Sequence, residues 1–255
     1  MSDSDELSPP RGYGPTSYGE AFADVYDDWY KRVSDVGATV TRVRSLAGDG
    51  PVLELGVGTG RLALPLADAG VETWGVDASS AMLAHLRAKP GAERVRVVQA
   101  DMAAPALVAD GRFAVVFCAY NTFFNLHRPG DQASCLAWST TALTPEGRLA
   151  IEAFVPSEGS STPDGPVSVR SIEPDRVVLS VAERDVGAQI VTGQFVDLSE
   201  AGVRLRPYRI HYLFPAQLDA LAAEAGLRLV DRWAAWDGAP FTDDSPNHVS
   251  IYGAA

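Results

Sequence analysis

The run Val52-Leu53-Glu54-Leu55-Gly56-Val57-Gly58-Thr59-Gly60, followed at once by the helical stretch Arg61 to Leu66, constrains this chain more than any other. A short apolar run, glycines at alternate positions and then a helix outline a strand-to-helix turn that brings a ligand against backbone. A side chain at those glycines would fill the ligand's space, and such turns often need positive φ. Helices and apolar runs alternate from there. Leu62–Ala69 suits a helix closed by Gly70, Val71–Asp77 a strand, and Ser79 an N-cap for the next helix. Val95–Ala100 and Phe113–Cys118 read as further strands, then Asp131–Leu143 as a helix and Gly147–Phe154 as a strand.

Glycine spacing narrows the ligand. The dinucleotide fingerprint reads G-x-G-x-x-G, whereas here the third glycine comes one residue early and Arg61 follows. Asp77 stands 21 residues after Gly56, where nucleoside-binding α/β folds place an acid for the ribose. A carboxylate accepts from both ribose hydroxyls at once. The third strand also closes on an acid, in Asp101-Met102. Glu54 with its glycines, Asp77 and Asp101 therefore end successive strands on the edge where open α/β sheets bind ligands.

These residues carry a family resemblance. Glu54-Leu55-Gly56-Val57-Gly58-Thr59-Gly60 resembles the first motif of class I S-adenosylmethionine-dependent methyltransferases, whose loop wraps the methionine part of the cofactor. The resemblance implies a Rossmann-like α/β fold: a seven-stranded, mostly parallel sheet with helices on both faces and an antiparallel β insertion before the last helix. It implies S-adenosyl-L-methionine as cofactor, S-adenosyl-L-homocysteine as product and no metal. The implied cofactor set is Tyr18, Tyr26, Glu54, Gly56, Gly58, Gly60, Asp77, Ala78, Met82, Asp101, Met102 and Ala119. Within it Asp101 would take the adenine amino group, and Met102 N–H a ring nitrogen. The run Tyr18 to Tyr30, with Phe22, Tyr26, Trp29 and Tyr30 at helical spacing, is similar to the opening helix that lids the cofactor in small-molecule members.

Composition bounds the acceptor. The net charge of −12 repels phosphate backbones and anionic membranes, so neither nucleic acid nor a membrane is expected as partner. Cys118 and Cys135 lie in apolar surroundings and read as buried thiols of a cytoplasmic protein. No apolar stretch reaches the roughly 20 residues of a membrane span. The turn after the fourth strand lacks the Asn-Pro-Pro-Tyr or Asp-Pro-Pro-Tyr of enzymes that methylate nucleobase amino groups. A small molecule, such as a secondary metabolite methylated on oxygen or nitrogen, is the expected acceptor, with Tyr30, Tyr120, Asn121 and Asn125 beside it. Sugar-nucleotide N-methyltransferases carry a His in that turn; here Asn125 stands there, with His127 out of register. Candidate bases are His127, Glu152 and His211, and His85 and His248 are weaker.

In domain terms, residues 1–17 read as a disordered tail and 18–254 as one methyltransferase domain. Its parts are lid helices at 18–45, a cofactor core at 46–155, a β insertion at 156–213 and a closing helix and hairpin at 214–254. Ser157–Gly165 reads as a loop, and the insertion is a candidate homodimer surface by the same resemblance. Two other readings stay open. One is a non-catalytic cofactor-binding module; the other is a nicotinamide oxidoreductase, which the glycine spacing disfavours.

Overall fold

The alternation of apolar and helical runs folds into a mostly parallel sheet with helices on both faces. The computed structural model describes residues 12–31, 33–103, 105, 111–157 and 166–255. Its elements in chain order are α1 (Ser17–Phe22), α2 (Tyr26–Trp29), α3 (Val36–Ala47), β1 (Val52–Leu55), α4 (Ala63–Asp68), β2 (Thr73–Asp77), α5 (Ser80–Arg87), β3 (Val95–Gln99) and β4 (Phe113–Cys118). Then come α6 (Asp131–Ala142), β5 (Leu143–Phe154), β6 (Val167–Glu173), β7 (Arg176–Asp185), β8 (Ile190–Ser199), β9 (Gly202–His211), α7 (Pro215–Glu224), β10 (Leu227–Trp233) and β11 (Asn247–Ala254).

One sheet runs β10-β11-β5-β4-β1-β2-β3, and β11 lies antiparallel to both its neighbours. β1 is central, and all four of its residues are buried, as a strand covered on both faces requires. Its neighbours are set by register: Glu54 lies opposite Gly75 on β2 and Phe117 on β4. Helices α6 and α7 cover one face through Leu136, Ala142, Leu218 and Ala222, and α3 and α4 cover the other through Val43, Ala47, Leu62 and Leu66. Helices α3 and α5 start on side-chain caps. Asp35 Oδ1 accepts from Ala38 N at 2.9 Å and Ser79 Oγ from Met82 N at 3.1 Å, each cap contributing about 1 kcal/mol. Among the described residues no helix is long and apolar enough to cross a membrane.

The second sheet, β6-β7-β8-β9, is antiparallel and lies within the insertion expected at 156–213. Alternation gives its two faces opposite characters. Val167, Val169 and Ile172 line up with Val181, Leu179 and Val177, and these with Val196, Leu198, Val203 and Leu205, on one face. The other face carries Asp197, Phe195, Arg206 and Tyr208 and packs on the N-terminal segment.

Two differences from the sequence reading have physical causes. The opening helix is two short ones, α1 and α2, separated at Ala23–Val25. There Arg206, only 2% exposed, donates to the Ala21 carbonyl and forks onto Asp24 at 2.6 and 3.0 Å, ending α1. The boundary of the expected tail moves as well. Residues 1–11 lie outside the described residues, but Tyr13 is packed: its Oη accepts from Arg209 N at 3.0 Å and its ring meets the His127 ring edge-on. Of the expected loop at 157–165, residues 158–165 lie outside the described residues.

Arg206 also reaches Asp197 at 3.3 Å, which Arg176 holds in a two-pronged bond, and Arg204 reaches Asp24. Arg206 holds the Asp24 carboxyl below its ordinary range, and Arg176 does the same for Asp197. A depressed folded-state pKa means the clasp stabilises above the ordinary carboxylate range and is lost as pH falls through the lowered value. Arg206→Ala strands buried Asp197 with one partner fewer, so urea denaturation is expected to show a loss of about 2–4 kcal/mol. Asp24→Asn should cost less, because the Asp24 side chain is 42% exposed.

Candidate functional site

The carboxyl ends of β1, β2 and β3 open into one cleft of about 710 Å³, counting its solvent-open mouth. Gly56 (φ +70°) and Gly58 (φ +53°) form its floor. A Cβ on Gly56 would come within 2.3 Å of Thr122 Cγ2, so this glycine lets the loop close on the β4 turn. A Cβ on Gly58 would meet nothing nearer than 4.0 Å; it would fill the cradle itself. Gly60 is different. Its Cβ would strike Leu86 and Leu64, which makes it a packing glycine, and it does not line the cleft.

Asp77 ties this loop to β2. Its Oδ2 accepts from Gly58 N at 2.8 Å and its Oδ1 from Ser79 N at 2.9 Å. Burial pushes its carboxyl up, and these N–H groups pull it partly back. Beneath the loop lies Glu54, 5% exposed, whose Oε2 has no hydrogen-bond partner among the described residues. Burial drives the Glu54 carboxyl to about 8, against the Arg61 charge and the Ala63 N–H, which lower it. Arg61 is the complementary orphan: its Nη1 donates to Ser34 Oγ at 2.6 Å, while its buried Nε is unpartnered among the described residues. Neither Glu54 nor Arg61 lines the cleft, but a buried acid and a half-buried arginine, each with one unpartnered buried atom among the described residues, match in charge a ligand carrying both a cationic and an anionic group.

Other expected residues are brought to the same cleft. Tyr18, Tyr26, Ala78, Met82, Asp101, Met102, Asn125 and His127 all line it. Asp101 is more heavily engaged than expected: Oδ1 accepts from Ala103 N at 2.9 Å and Oδ2 from Arg128 at 2.6 Å. Arg128 also bonds Asp131 at 2.6 Å, and both side the cleft. The spacing Arg128-x-x-Asp131 at the start of α6 was the signal for this pair, and the sequence reading missed it, as it missed Arg61.

A second set lies one ring further out. Tyr18 Oη donates to Tyr30 Oη at 3.0 Å, and the Tyr30 ring lies 4.6 Å from that of Tyr26 and 5.6 Å from that of Tyr120. Tyr30, Tyr120 and Asn121 therefore stand behind or beside the cleft wall and do not line it. Tyr120 (φ +47°) and Asn121 (φ +61°) hold a strained turn, secured by Tyr120 N–H to Glu152 Oε2 at 2.8 Å and Phe154 N–H to Asn121 Oδ1 at 2.7 Å. Ala119 is 5% exposed and packed in the core below.

The three candidate bases separate. Glu152 is occupied in holding the Tyr120 turn. His211 lies off the cleft, and burial lowers its basicity, helped by His127 and Arg209. His127 lines the cleft on the flank of Arg128 and Asp131. Its Nδ1 lies 3.0 Å from the Asn125 carbonyl, which only accepts, so Nδ1 carries the proton and Nε2 the lone pair. Burial lowers its pKa too. Of the weaker pair, His248 is fully buried and His85 lies on α5. No cluster able to hold a metal ion occurs among the described residues.

Residues 52–147, which contain the glycine loop, Asp77 and Asp101, match the methyltransferase domain family. The structure is similar to that of the CcbJ methyltransferase from Streptomyces caelestis, with a TM-score of 0.87 and 38% identity, covering 95% of this chain and 100% of that one. The cypemycin N-terminal methyltransferase of a Streptomyces species is 27% identical over 232 residues, 89% of this chain and 94% of that protein. A glycine/sarcosine N-methyltransferase of Halorhodospira halochloris is 29% identical over 140 residues; the match takes in 53% of this chain and about half, 52%, of that protein.

The raised Glu54 pKa gives a ligand-free test. An acid whose folded pKa exceeds its ordinary value loses stability as pH rises from about 4.5 to about 8. Glu54→Gln removes that loss, so its urea midpoint is expected to fall less than that of the wild type between those limits. Parallel curves would show that Glu54 ionises freely.

Proposed function

Because the chain belongs to the S-adenosylmethionine-dependent methyltransferases, we propose that its acceptor is a small molecule methylated on nitrogen. The observation that carries the cofactor part of this reading is that Glu54 Oε2 and Arg61 Nε, on either side of the glycine loop in sequence, are both buried without a hydrogen-bond partner among the described residues. The methionine part of the cofactor bears an ammonium and a carboxylate, and these two side chains suit them in charge. On the same reading Asp77 takes the ribose hydroxyls, Met82 packs near the adenosine, and Asp101 with Met102 flanks the adenine. Tyr18 and Tyr26 close over the sulfur end, in a lid spanning 18–45 over a core spanning 46–155.

S-adenosylmethionine supplies an electrophilic methyl carbon and departs as a neutral thioether. The chain's own share is alignment, and effective molarities make this worth on the order of 7–11 kcal/mol. Glu152 contributes by fixing the turn that carries Tyr120. His127 faces the Asp101 flank and Glu152 is occupied, which supports an acceptor that brings its own lone pair, such as an amine. A hydroxyl acceptor would gain from a base worth roughly 10²–10⁴-fold. The relatives' names, an N-terminal and a glycine/sarcosine N-methyltransferase, point the same way. Buried, free Cys118 and Cys135 support a reducing, cytoplasmic setting.

The insertion also supports self-association. Val167, Val169, Ile172, Val203 and Leu205 are 51–73% exposed on one sheet face. A contiguous apolar face of this kind favours a partner, and a second copy is the one proposed. Sedimentation velocity should show a dimer that Val169→Glu with Leu205→Glu converts to monomer; a monomeric wild type rejects it.

The cofactor assignment is tested by calorimetric titration with S-adenosylhomocysteine. The wild type should bind it and ignore NADH. Asp77→Ala should weaken binding by about tenfold or more, as expected for lost hydrogen bonds to a charged group. Wild type that fails to bind S-adenosylhomocysteine would refute the assignment.

A further inference from the structure

We propose that Arg170 anchors a carboxylate on the methyl acceptor, across the Tyr30 and Tyr120 rings from the cofactor cleft. The proposal rests on the methyltransferase reading above and names the substrate class for that same site.

Arg170 is set apart by its backbone. In β6, Val169 pairs with Leu179 and Ser171 with Val178, so Arg170 is the extra residue of a β-bulge. Bulges re-aim a side chain and are common beside active sites. This one sends the guanidinium over the rings of Trp29, Tyr30 and Phe195, at 4.7, 5.4 and 4.9 Å from their centroids. Stacking on rings occupies the faces of a guanidinium and leaves its N–H edges for a planar, two-pronged acceptor.

Those edges are poorly used. In a chain of 33 acids and 21 Lys and Arg, Arg170 forms no ion pair among the described residues. Its one hydrogen bond there is a long 3.4 Å donation to the Trp29 carbonyl. The neighbouring arginines of this sheet, by contrast, are paired: Arg176 and Arg206 with Asp197, Arg204 with Asp24. Arg170 is nevertheless held in place, and it is exposed to an incoming molecule.

Position links it to the acceptor. Tyr30, under Arg170, bonds Tyr18 at 3.0 Å, and Tyr18 lines the cofactor cleft. Burial pushes the Tyr120 hydroxyl up while the Arg170 and Arg61 charges pull it back, so both guanidiniums act at that ring. Arg61 serves the cofactor end, which leaves Arg170 for the acceptor. The Tyr30 ring lies between Arg170 and Tyr18, so an acceptor with one aromatic ring between its nucleophile and its acid is the length to test. A monoanionic carboxylate suits one guanidinium better than a phosphate dianion does, since the net charge of −12 opposes higher negative charge.

The test uses 4-(aminomethyl)benzoate and its carboxamide as a matched probe pair. Each is titrated calorimetrically into the S-adenosylhomocysteine complexes of wild type, Arg170→Lys and Arg170→Gln, and each is assayed for methylation. The acid should bind wild type in preference to the amide. Arg170→Gln should weaken acid binding by about 10- to 100-fold and erase the preference. Arg170→Lys, which keeps the charge but not the planar fork, should fall between. S-adenosylhomocysteine affinity should stay the same in all three proteins, because Arg170 is outside the cofactor cleft. A merely structural role for the stacked guanidinium would weaken acid and amide alike. Equal binding of acid and amide by wild type, no binding of the acid, or an unchanged acid affinity in Arg170→Gln overturns the proposal. A wild type that binds the acid but not S-adenosylhomocysteine overturns the cofactor reading instead.

Discussion

Asp77 joins two elements that must not move relative to each other. One of its oxygens takes Gly58 N–H from the glycine loop and the other takes Ser79 N–H at the start of α5. The loop with its positive-φ glycines, the end of β2 and the N-terminus of α5 are thereby held as one unit. Burying this acid near Glu54 costs free energy, which shows in the raised pKa of both. Spending stability on buried, incompletely paired acids is characteristic of sites shaped for a ligand rather than for the fold. Complementary charge arriving with a ligand would relieve that cost.

The N-terminal segment is bound to this unit by its own carboxylates. Glu20 accepts from Ser79 Oγ, Ser80 Oγ and Ala81 N at the head of α5. Asp27 accepts from Thr59 Oγ1 at 2.6 Å and pairs with Lys89 at 2.7 Å. Asp24 turns the other way, to Arg204 and Arg206 of the insertion. Three acids at near-helical spacing thus grip the loop, α5 and the second sheet. The aromatic side chains between them, Tyr18, Phe22, Tyr26, Trp29 and Tyr30, fill the space where these bodies meet. A segment held from both sides supplies Tyr18, Gly19 and Tyr26 to the cleft wall and ties that wall to the insertion sheet.

Much of this was legible beforehand, for identifiable reasons. β4 has the bounds read from its sequence, because an unbroken apolar run between turn residues leaves little choice. The insertion strands were legible from alternation and turn residues. The opening helix was misread as continuous, because what ends α1 is Arg206, more than 180 residues away in the chain. Glu152 was read as a candidate base, and the structure has its Oε2 accept from Tyr120 N. No local pattern encodes such a bond: it depends on the register of β5 against β4. The bulge at Arg170 is equally silent in the sequence.

The sequence by itself determined the strand-turn-helix at Val52–Leu66, the acids ending three successive strands and the α/β class, since these rest on neighbours within one or two turns of chain. Tertiary structure alone decided which acids keep free bonding capacity, which tyrosines line the cleft and which arginines are paired. Those outcomes depend on desolvation and on partners far away in sequence, such as Arg128 for Asp101 and Arg206 for Asp24. Burial and pairing are properties of a packed volume, and a linear pattern does not contain them.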